Sequence, residues 1–243
     1  MIPADHPRYR SLVARERLAD AAREGIASLE GLTAHGRGEA FDYLIGERTT
    51  SSAAEAEQLA ARLLISARRP VISVNGNTAA LAAPAILDLQ KASGAAVEVN
   101  LFHRTDERIQ RIAAYLSGHG IEVLSGEYER LVPLSHGRGL CLPEGIGAAD
   151  VVLVPLEDGD RCEALRKMGK IVITIDLNPL SRTAQMATLT IVDELTRALP
   201  AMTKACRSAA PGDPEEMALL IDNTKFLTEA KEEMRRRLTD ALD

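Results

Sequence analysis

Residues 70–76 read PVISVNG, 96–102 AVEVNLF, 150–156 DVVLVPL, 170–177 KIVITIDL and 188–192 TLTIV. Each is a short run rich in Val and Ile, apolar at successive rather than alternate positions, the pattern of a strand covered on both faces. Helical spacing fills the gaps at 79–92, 106–116, 162–168 and 194–206. Strands alternating with helical crossovers predict an α/β fold with a doubly wound, mostly parallel, Rossmann-like sheet over 69–208. IEVL at 121–124 reads as a further strand, and a long irregular stretch separates it from DVVLVPL.

Working outward, residues 8–30 read as one helix, followed by punctuation at Gly31, Gly36 and Gly38 and a short helical stretch to Leu44. A second helix spans 50–68, where TTSS offers N-caps and Leu59, Ala60, Leu63 and Leu64 keep helical spacing. PGDP at 211–214 is a break, and a polar helix then closes the chain. Its apolar residues Leu220, Leu227, Met234 and Ala241 recur every seven, but Thr224 and Lys231 hold the companion positions. That stripe is too thin for a coiled coil and predicts an amphipathic helix lying on the core or on a partner subunit. The division is therefore an N-terminal helical segment over 1–68, the core over 69–208 and a helical tail over 209–243. With 243 residues, one compact domain buries roughly 70–75% of its unfolded surface.

Composition narrows the function. The net charge is −6, and residues 213–243 alone hold nine acids against five bases. No basic surface is forced, which argues against nucleic acid as principal ligand. Aromatic residues make up 3% of the chain with no Trp, too few for base-stacking platforms. The three cysteines, Cys141, Cys162 and Cys206, form neither a disulfide framework nor a C-x-x-C motif. No stretch has the apolar length of a signal peptide or a membrane span. The expectation is a soluble cytoplasmic protein with no membrane partner.

Open parallel sheets bind ligands outside the carboxyl ends of their strands. After the first strand comes Asn75-Gly76-Asn77-Thr78, where Asn77 or Thr78 would cap a helix whose free N–H groups suit an anion. No P-loop or G-x-G-x-x-G motif is present. After the second come His103 and Arg104, ahead of Thr105 as an N-cap. Arginine there suits a phosphate, which it grips in a planar fork. After DVVLVPL come Glu157, Asp158 and Asp160, candidates for Mg2+, a ribose hydroxyl or a substrate amine. After KIVIT comes Asp176-Leu177-Asn178-Pro179, leading to Arg182 and Thr183, which suits a nucleotide's ribose and phosphates.

The first helix adds a further signal. Leu12, Ala19, Ala22, Ile26 and Leu29 fall in one stripe, and Arg8 and Arg15 lie in its middle. A guanidinium facing a core needs an acid or an anionic ligand. Gly36 and Gly38 flank Arg37, so backbone can approach a ligand there. Arg8, Arg15, Arg37, Arg104 and Arg182 thus supply cations in a protein of negative net charge. The contrast predicts a phosphorylated ligand and a nucleotide.

These residues resemble a known family. IPADHPRYRSLVARERL (2–18), GLTAHGRGEAFDYLIGERTT (31–50), RPVISVNGNTAAL (69–81), VEVNLFHRTDER (97–108), ADVVLVPLEDGDR (149–161) and IDLNPLSRTAQMATLTIVD (175–193) are similar to blocks of the archaeal 4-phosphopantoate–β-alanine ligase, or phosphopantothenate synthetase, family. The blocks run from residue 2 to about 205 and leave the tail after Pro211 outside. The resemblance implies a homodimer with a Rossmann-like core that joins 4-phosphopantoate to β-alanine with ATP. The products would be 4'-phosphopantothenate, AMP and diphosphate, formed in coenzyme A biosynthesis through an acyl-adenylate with Mg2+ present. It implies ATP contacts at Arg15, Arg37, Asp176, Leu177, Asn178, Arg182, Thr183, Glu194 and Leu195. At Glu194 the family pattern carries Asn, so the contact there is carried over for the backbone. Asn75, Asn77, Thr78, Arg8 and Asp158 are left as candidates for phosphopantoate or β-alanine. His103, Arg104 and His35 are candidates for chemistry, the histidines as bases for the amine of β-alanine. A second reading stands beside this one. RPVISVNGNTAAL also resembles the first strand and loop of the middle domain of thiamine-diphosphate enzymes, which implies a nucleotide-binding module without catalysis.

Overall fold

Five of the apolar runs pair as a single parallel sheet. The computed structural model describes residues 2–6 and 8–240. In chain order, α1 (Tyr9–Arg23), α2 (Leu29–Ile45) and α3 (Ser51–Ser66) precede β1 (Pro70–Val74), α4 (Gly76–Ser93), β2 (Ala96–Val99) and α5 (Asp106–Gly118). Two-residue strands β3 (Glu129–Arg130) and β4 (Leu140–Cys141) pair antiparallel in the irregular stretch. Then come β5 (Val151–Leu153), α6 (Gly159–Lys167), β6 (Ile171–Ile175), α7 (Arg182–Met186), β7 (Leu189–Ile191) and α8 (Leu195–Ser208). The tail forms α9 (Pro214–Leu220) and α10 (Asn223–Asp240). Strand order is β2-β1-β5-β6-β7, so the chain winds outward from β1 first in one direction and then in the other. Its switch point lies between β1 and β5.

Because side chains alternate across each strand, the sheet has two apolar faces. Ile72, Val74, Val97, Leu153, Ile173 and Leu189 pack under α3, α4 and α8. Val71, Val152 and Val172 pack on the other side against α6 and the irregular stretch. Each such Val or Ile contributes about 1.5–3 kcal/mol by leaving water. Four alanines in the first half of α4 (Ala79, Ala80, Ala82 and Ala83) are buried. With no bulk between backbones, α4 packs more extensively on α8 than any other pair of elements meets.

The structure corrects several boundaries. Helix 8–30 stops at Arg23, and Gly25, at φ +71, reverses the chain. A second helix then runs from Leu29 straight through Gly36 and Gly38, capped by the Ser28 hydroxyl. The break resets the helical phase before Leu29, and within α1 the buried face is set by Leu18 and Ala21 rather than by Leu12 and Ala19. Leu18 and Ala21 face the core, Leu29 is 74% exposed, and Arg8 and Arg15 face solvent. Helix α4 starts earlier than expected because Asn75, not Asn77 or Thr78, caps it. IEVL makes one parallel bridge, Val97 to Val123, in place of a strand. The tail breaks into two helices at 221–222. Phe226, Leu227, Ala230 and Met234 are buried against the body of the protein, whereas Leu220 is exposed; Ala241 and the chain end lie outside the described residues. Among the described residues, no helix is long and apolar enough to cross a membrane.

Candidate functional site

A cleft of about 610 Å3 opens over the carboxyl ends of the strands, at the switch point, with α2 as its roof. Asn75 closes its floor. The Asn75 side-chain oxygen accepts from Thr78 N at 3.0 Å, capping α4, while its amide donates to Pro155 O and Leu156 O at 3.1 and 2.9 Å. One side chain therefore joins the loops after β1 and β5. Gly76 follows because nothing larger fits: a Cβ there would lie 2.2 Å from the carbonyl oxygen of Ile26, in the turn between α1 and α2.

Over β6 and β7 the cleft is lined by Asp176, Leu177, Asn178, Thr183, Glu194 and Leu195. Asp176 accepts from Asn178 N at 2.9 Å and from the Ser181 hydroxyl, and Asn178 Oδ1 accepts from Leu180 N at 2.9 Å, so the loop is rigid. Burial raises the Asp176 carboxyl above the usual range. Thr183 is tied to the neighbouring loop by donating to Glu157 O at 2.7 Å. Glu194 caps α8 by accepting from Thr196 N at 2.7 Å, the role that Asn would play at this position.

The other half lies over β1, β2 and β5. Arg138, 5% exposed, places Nε 3.0 Å from both Glu157 and Asp158, and donates from Nη1 to Asn100 O at 3.0 Å. Glu157 also meets the fully buried Arg161. Arg108 donates to His103 O at 2.7 Å and Ile26 O at 3.1 Å. Asn77 donates to Gly31 O at 2.7 Å, fastening the start of α2.

A third group clamps the roof to the floor. Arg197 on α8 reaches Asp42 on α2 (2.5 and 3.1 Å) and Asp193 (2.6 and 2.9 Å). Asp193 also accepts from the Thr49 hydroxyl at 2.5 Å. Beneath it the buried Glu57 carboxyl is pushed up to about 8, first by burial and then by the negative charge of Asp193.

Of the residues singled out from sequence, His35, Arg37, Asn75, Asn77, His103, Glu157, Asp158, Asp176, Leu177, Asn178, Thr183, Glu194 and Leu195 meet in this cleft. Others lie elsewhere. Arg15 pairs with Glu39, which itself lines the cleft, through bonds of 2.9–3.2 Å. Arg182 points outward to Glu163 at 2.6 Å. Arg104 turns to the far side of its loop, 3.9 Å over the Tyr128 ring. Arg8 meets the Tyr43 hydroxyl, and Thr78 is wholly buried under the floor. The sequence reading missed Arg108, Arg138 and the Asp42–Arg197–Asp193 clamp. Asp193 closes the TLTIVD run at a strand end, as Asp176 does for its strand, and Arg197 follows it by four residues, so that signal was present. Arg138 lies in the irregular stretch, where no periodicity marks it.

The cleft's dimensions, rigid acid-bearing loops and Arg37 fit a nucleotide. A protein-ligated Mg2+ does not fit. Both Glu157 oxygens are taken by Arg138 and Arg161, Asp158 is held by Arg138, and Asp193 is held by Arg197. Among the described residues, no group of three His, Cys, Asp or Glu is placed to hold a metal. With Glu157 and Asp158 engaged by arginines, a magnesium ion arriving here would be held chiefly by phosphate oxygens and water.

Comparison with known proteins gives the chain a family. The family profile described as phosphopantothenate/pantothenate synthetase matches residues 52–237. A 4-phosphopantoate–β-alanine ligase of Methanospirillum hungatei is 58% identical over 243 residues, covering all of both chains. One from Methanosarcina mazei is 54% identical over 98% of this chain and 95% of its own, and one from Thermococcus kodakarensis 49% over 98% and 94%. The likeness runs through the tail, beyond the limit at Pro211 drawn from sequence blocks.

Proposed function

The chain belongs to the phosphopantothenate/pantothenate synthetase family, and on that premise we propose that the cleft under α2 is where 4-phosphopantoate and β-alanine are joined at the expense of ATP. Membership carries 4-phosphopantoate–β-alanine ligase activity, a step of coenzyme A biosynthesis. The observation that supports placing it here is the cleft itself, set at the switch point and lined by side chains from both windings of the sheet. A bare nucleotide-binding module would need neither the α2 roof nor the second, arginine-bearing half.

A carboxylate does not react with an amine until one of its oxygens becomes a leaving group. In the proposed sequence a carboxylate oxygen of phosphopantoate attacks the α-phosphorus of ATP, and the bond to diphosphate breaks. The neutral amine of β-alanine then attacks the acyl carbon, AMP leaves, and 4'-phosphopantothenate remains. No covalent enzyme intermediate is needed, so the chain's task is orientation and charge neutralisation. The loop 176–178 and the start of α8 are placed for the nucleotide, with Arg37 for its phosphates. Arg15 reaches the same phosphates if it leaves Glu39. His35 lines the cleft, and burial lowers its imidazole's proton affinity. It is therefore neutral near pH 7 and able to take the proton that the amine releases. A Mg2+ ion brought in on the triphosphate would offset part of its charge. We place the enzyme in the cytoplasm, in keeping with three buried, unpaired cysteines, and take it to act as a homodimer on the family resemblance alone.

The test is product analysis. AMP should be produced in turnover only when both acids are supplied with ATP, whereas phosphopantoate alone should release at most one diphosphate per site. ADP and phosphate would leave the ligase standing and sink the adenylate route; ATP turnover needing neither acid would favour the nucleotide-binding module.

A further inference from the structure

The cleft's arginines are not alike. Arg138 is matched by two carboxylates, which cancel its charge locally. Arg108 is anchored by two neutral backbone carbonyls, those of His103 and Ile26. Among the described ion pairs none includes it; the acid whose charge reaches it is Glu30, an exposed residue of the first turn of α2. Burial lowers its proton affinity, so the guanidinium carries a desolvation cost that Glu30 offsets only in part. It lines the cleft beside the exposed His103. A cation held stiffly by carbonyls and facing a cleft is built for an anion from outside.

Position says which anion. The nucleotide loops follow β6 and β7, while Arg108 lies on α5, which follows β2 at the opposite edge of the sheet. Neighbouring strands are roughly 5 Å apart, so the two ends of the cleft are separated by about the length of a small extended molecule. The reacting carboxylate of 4-phosphopantoate must meet the nucleotide's α-phosphate in the middle. Its own phosphate, at the opposite end of the molecule, then points toward β2. We infer that Arg108, with His103 beside it, grips the 4-phosphate of phosphopantoate and makes the cleft select the phosphorylated acid. The assignment rests on the ligase reading. It replaces Arg104, whose charge is spent over Tyr128 on the far side of the same loop.

Steady-state kinetics with each substrate varied in turn tests it, using Arg108→Gln, Arg108→Lys and His103→Gln. Arg108→Gln should raise KM for 4-phosphopantoate tenfold to a hundredfold, the loss of a charged hydrogen bond. KM for ATP and β-alanine should stay within about twofold. The preference for phosphopantoate over pantoate in kcat/KM should shrink by the same factor, with Arg108→Lys in between. Arg108 also holds the Ile26 turn, so His103→Gln, an exposed change, provides the second variant and should raise the same KM alone. In the wild type, inorganic phosphate should compete with phosphopantoate and not with β-alanine. A rise confined to β-alanine's KM would put that carboxylate at Arg108 and overturn the inference. So would a fall in kcat with every KM unchanged, which is what a purely structural Arg108 gives. A wild-type protein that joins neither acid to β-alanine sinks the ligase reading itself, and this inference with it.

Discussion

The floor and the roof of the cleft are held in different ways. The floor is five parallel strands, apolar on both faces and sealed by helices, so its position follows from burial. The roof, α2, buries only Asp42 and Ile45 fully and carries three glycines, each costing about 1 kcal/mol in a helix interior. Its C-terminal end packs Phe41, Leu44 and Ile45 on Leu227, Ala230 and Met234 of α10, and over the cleft it is set by a few polar ties: Arg197 to Asp42, Asn77 to Gly31 O, and Arg108 to Ile26 O. The lesson is that the hydrophobic effect builds the shelf, while directional contacts set what lies over it. Burial is non-directional, and register between two layers needs bonds with fixed geometry.

Cutting the clamp should have the largest effect. Arg197→Met leaves Asp42 and Asp193 facing each other without a cation, a loss of about 3–5 kcal/mol. Tm should fall by about 10 °C, with KM for the nucleotide rising in the molecules still folded. Leu153→Ala, in the centre of the floor, should cost about 2–5 kcal/mol through its cavity and leave kcat within about twofold. If Leu153→Ala destroyed turnover while Arg197→Met spared it, the division of labour described here would be wrong. Gly76→Ala tests where the layers touch. Its methyl group must displace the Ile26 carbonyl, which should cost about 1–3 kcal/mol and move the α1–α2 turn; a wild-type melting curve would show the turn to be free to move.

The Glu57–Asp193 pair gives a pH-dependent comparison. Glu57 holds its proton to about pH 8 when folded, against an ordinary value of 4.5. Through that window the folded state keeps a proton that the unfolded chain has lost, so stability falls as pH rises and levels off above about 8. Glu57→Gln removes this loss. Its Tm advantage over the wild type should widen from pH 5 to pH 8, by at least about 1 kcal/mol in free energy; a gap constant across that range counts against the pair. The smallest change in stability is expected from Arg15→Ala, since the arginine itself is exposed and such a pair contributes about 1 kcal/mol or less. ATP affinity, read by calorimetry, should still drop about tenfold. Unchanged affinity would leave Arg15 as a brace for Glu39.

The same division explains what the sequence made legible. The strand runs were readable because full burial writes itself as unbroken Val and Ile, and the loops after them followed from the rule for open sheets. Asp176, Asn178 and Glu194 were found that way. The N-terminal helices were misread because their ties are single side chains reaching distant backbone, such as Arg108 to Ile26, which leave no periodic trace. Arg8 and Arg15 looked core-facing because the stripe was drawn through Leu12, Ala19 and Ala22, whereas α1 buries Leu18 and Ala21. Arg104 and Arg108 share a loop and a helix start, and nothing local says which of the two turns into the cleft.

One consequence of the clamp concerns synthesis. Asp42 and Arg197 are 155 residues apart, so at roughly 5–20 residues per second the first waits roughly 8–30 s for the second. Until α8 has left the ribosome, α1 has its packing on α4 and the start of α2 its ties to Asn77 and Arg108, but the far end of α2 has no cation for Asp42. The far end of a segment made early is thus fastened late, and a nascent chain cannot capture substrate before its catalytic layer is complete.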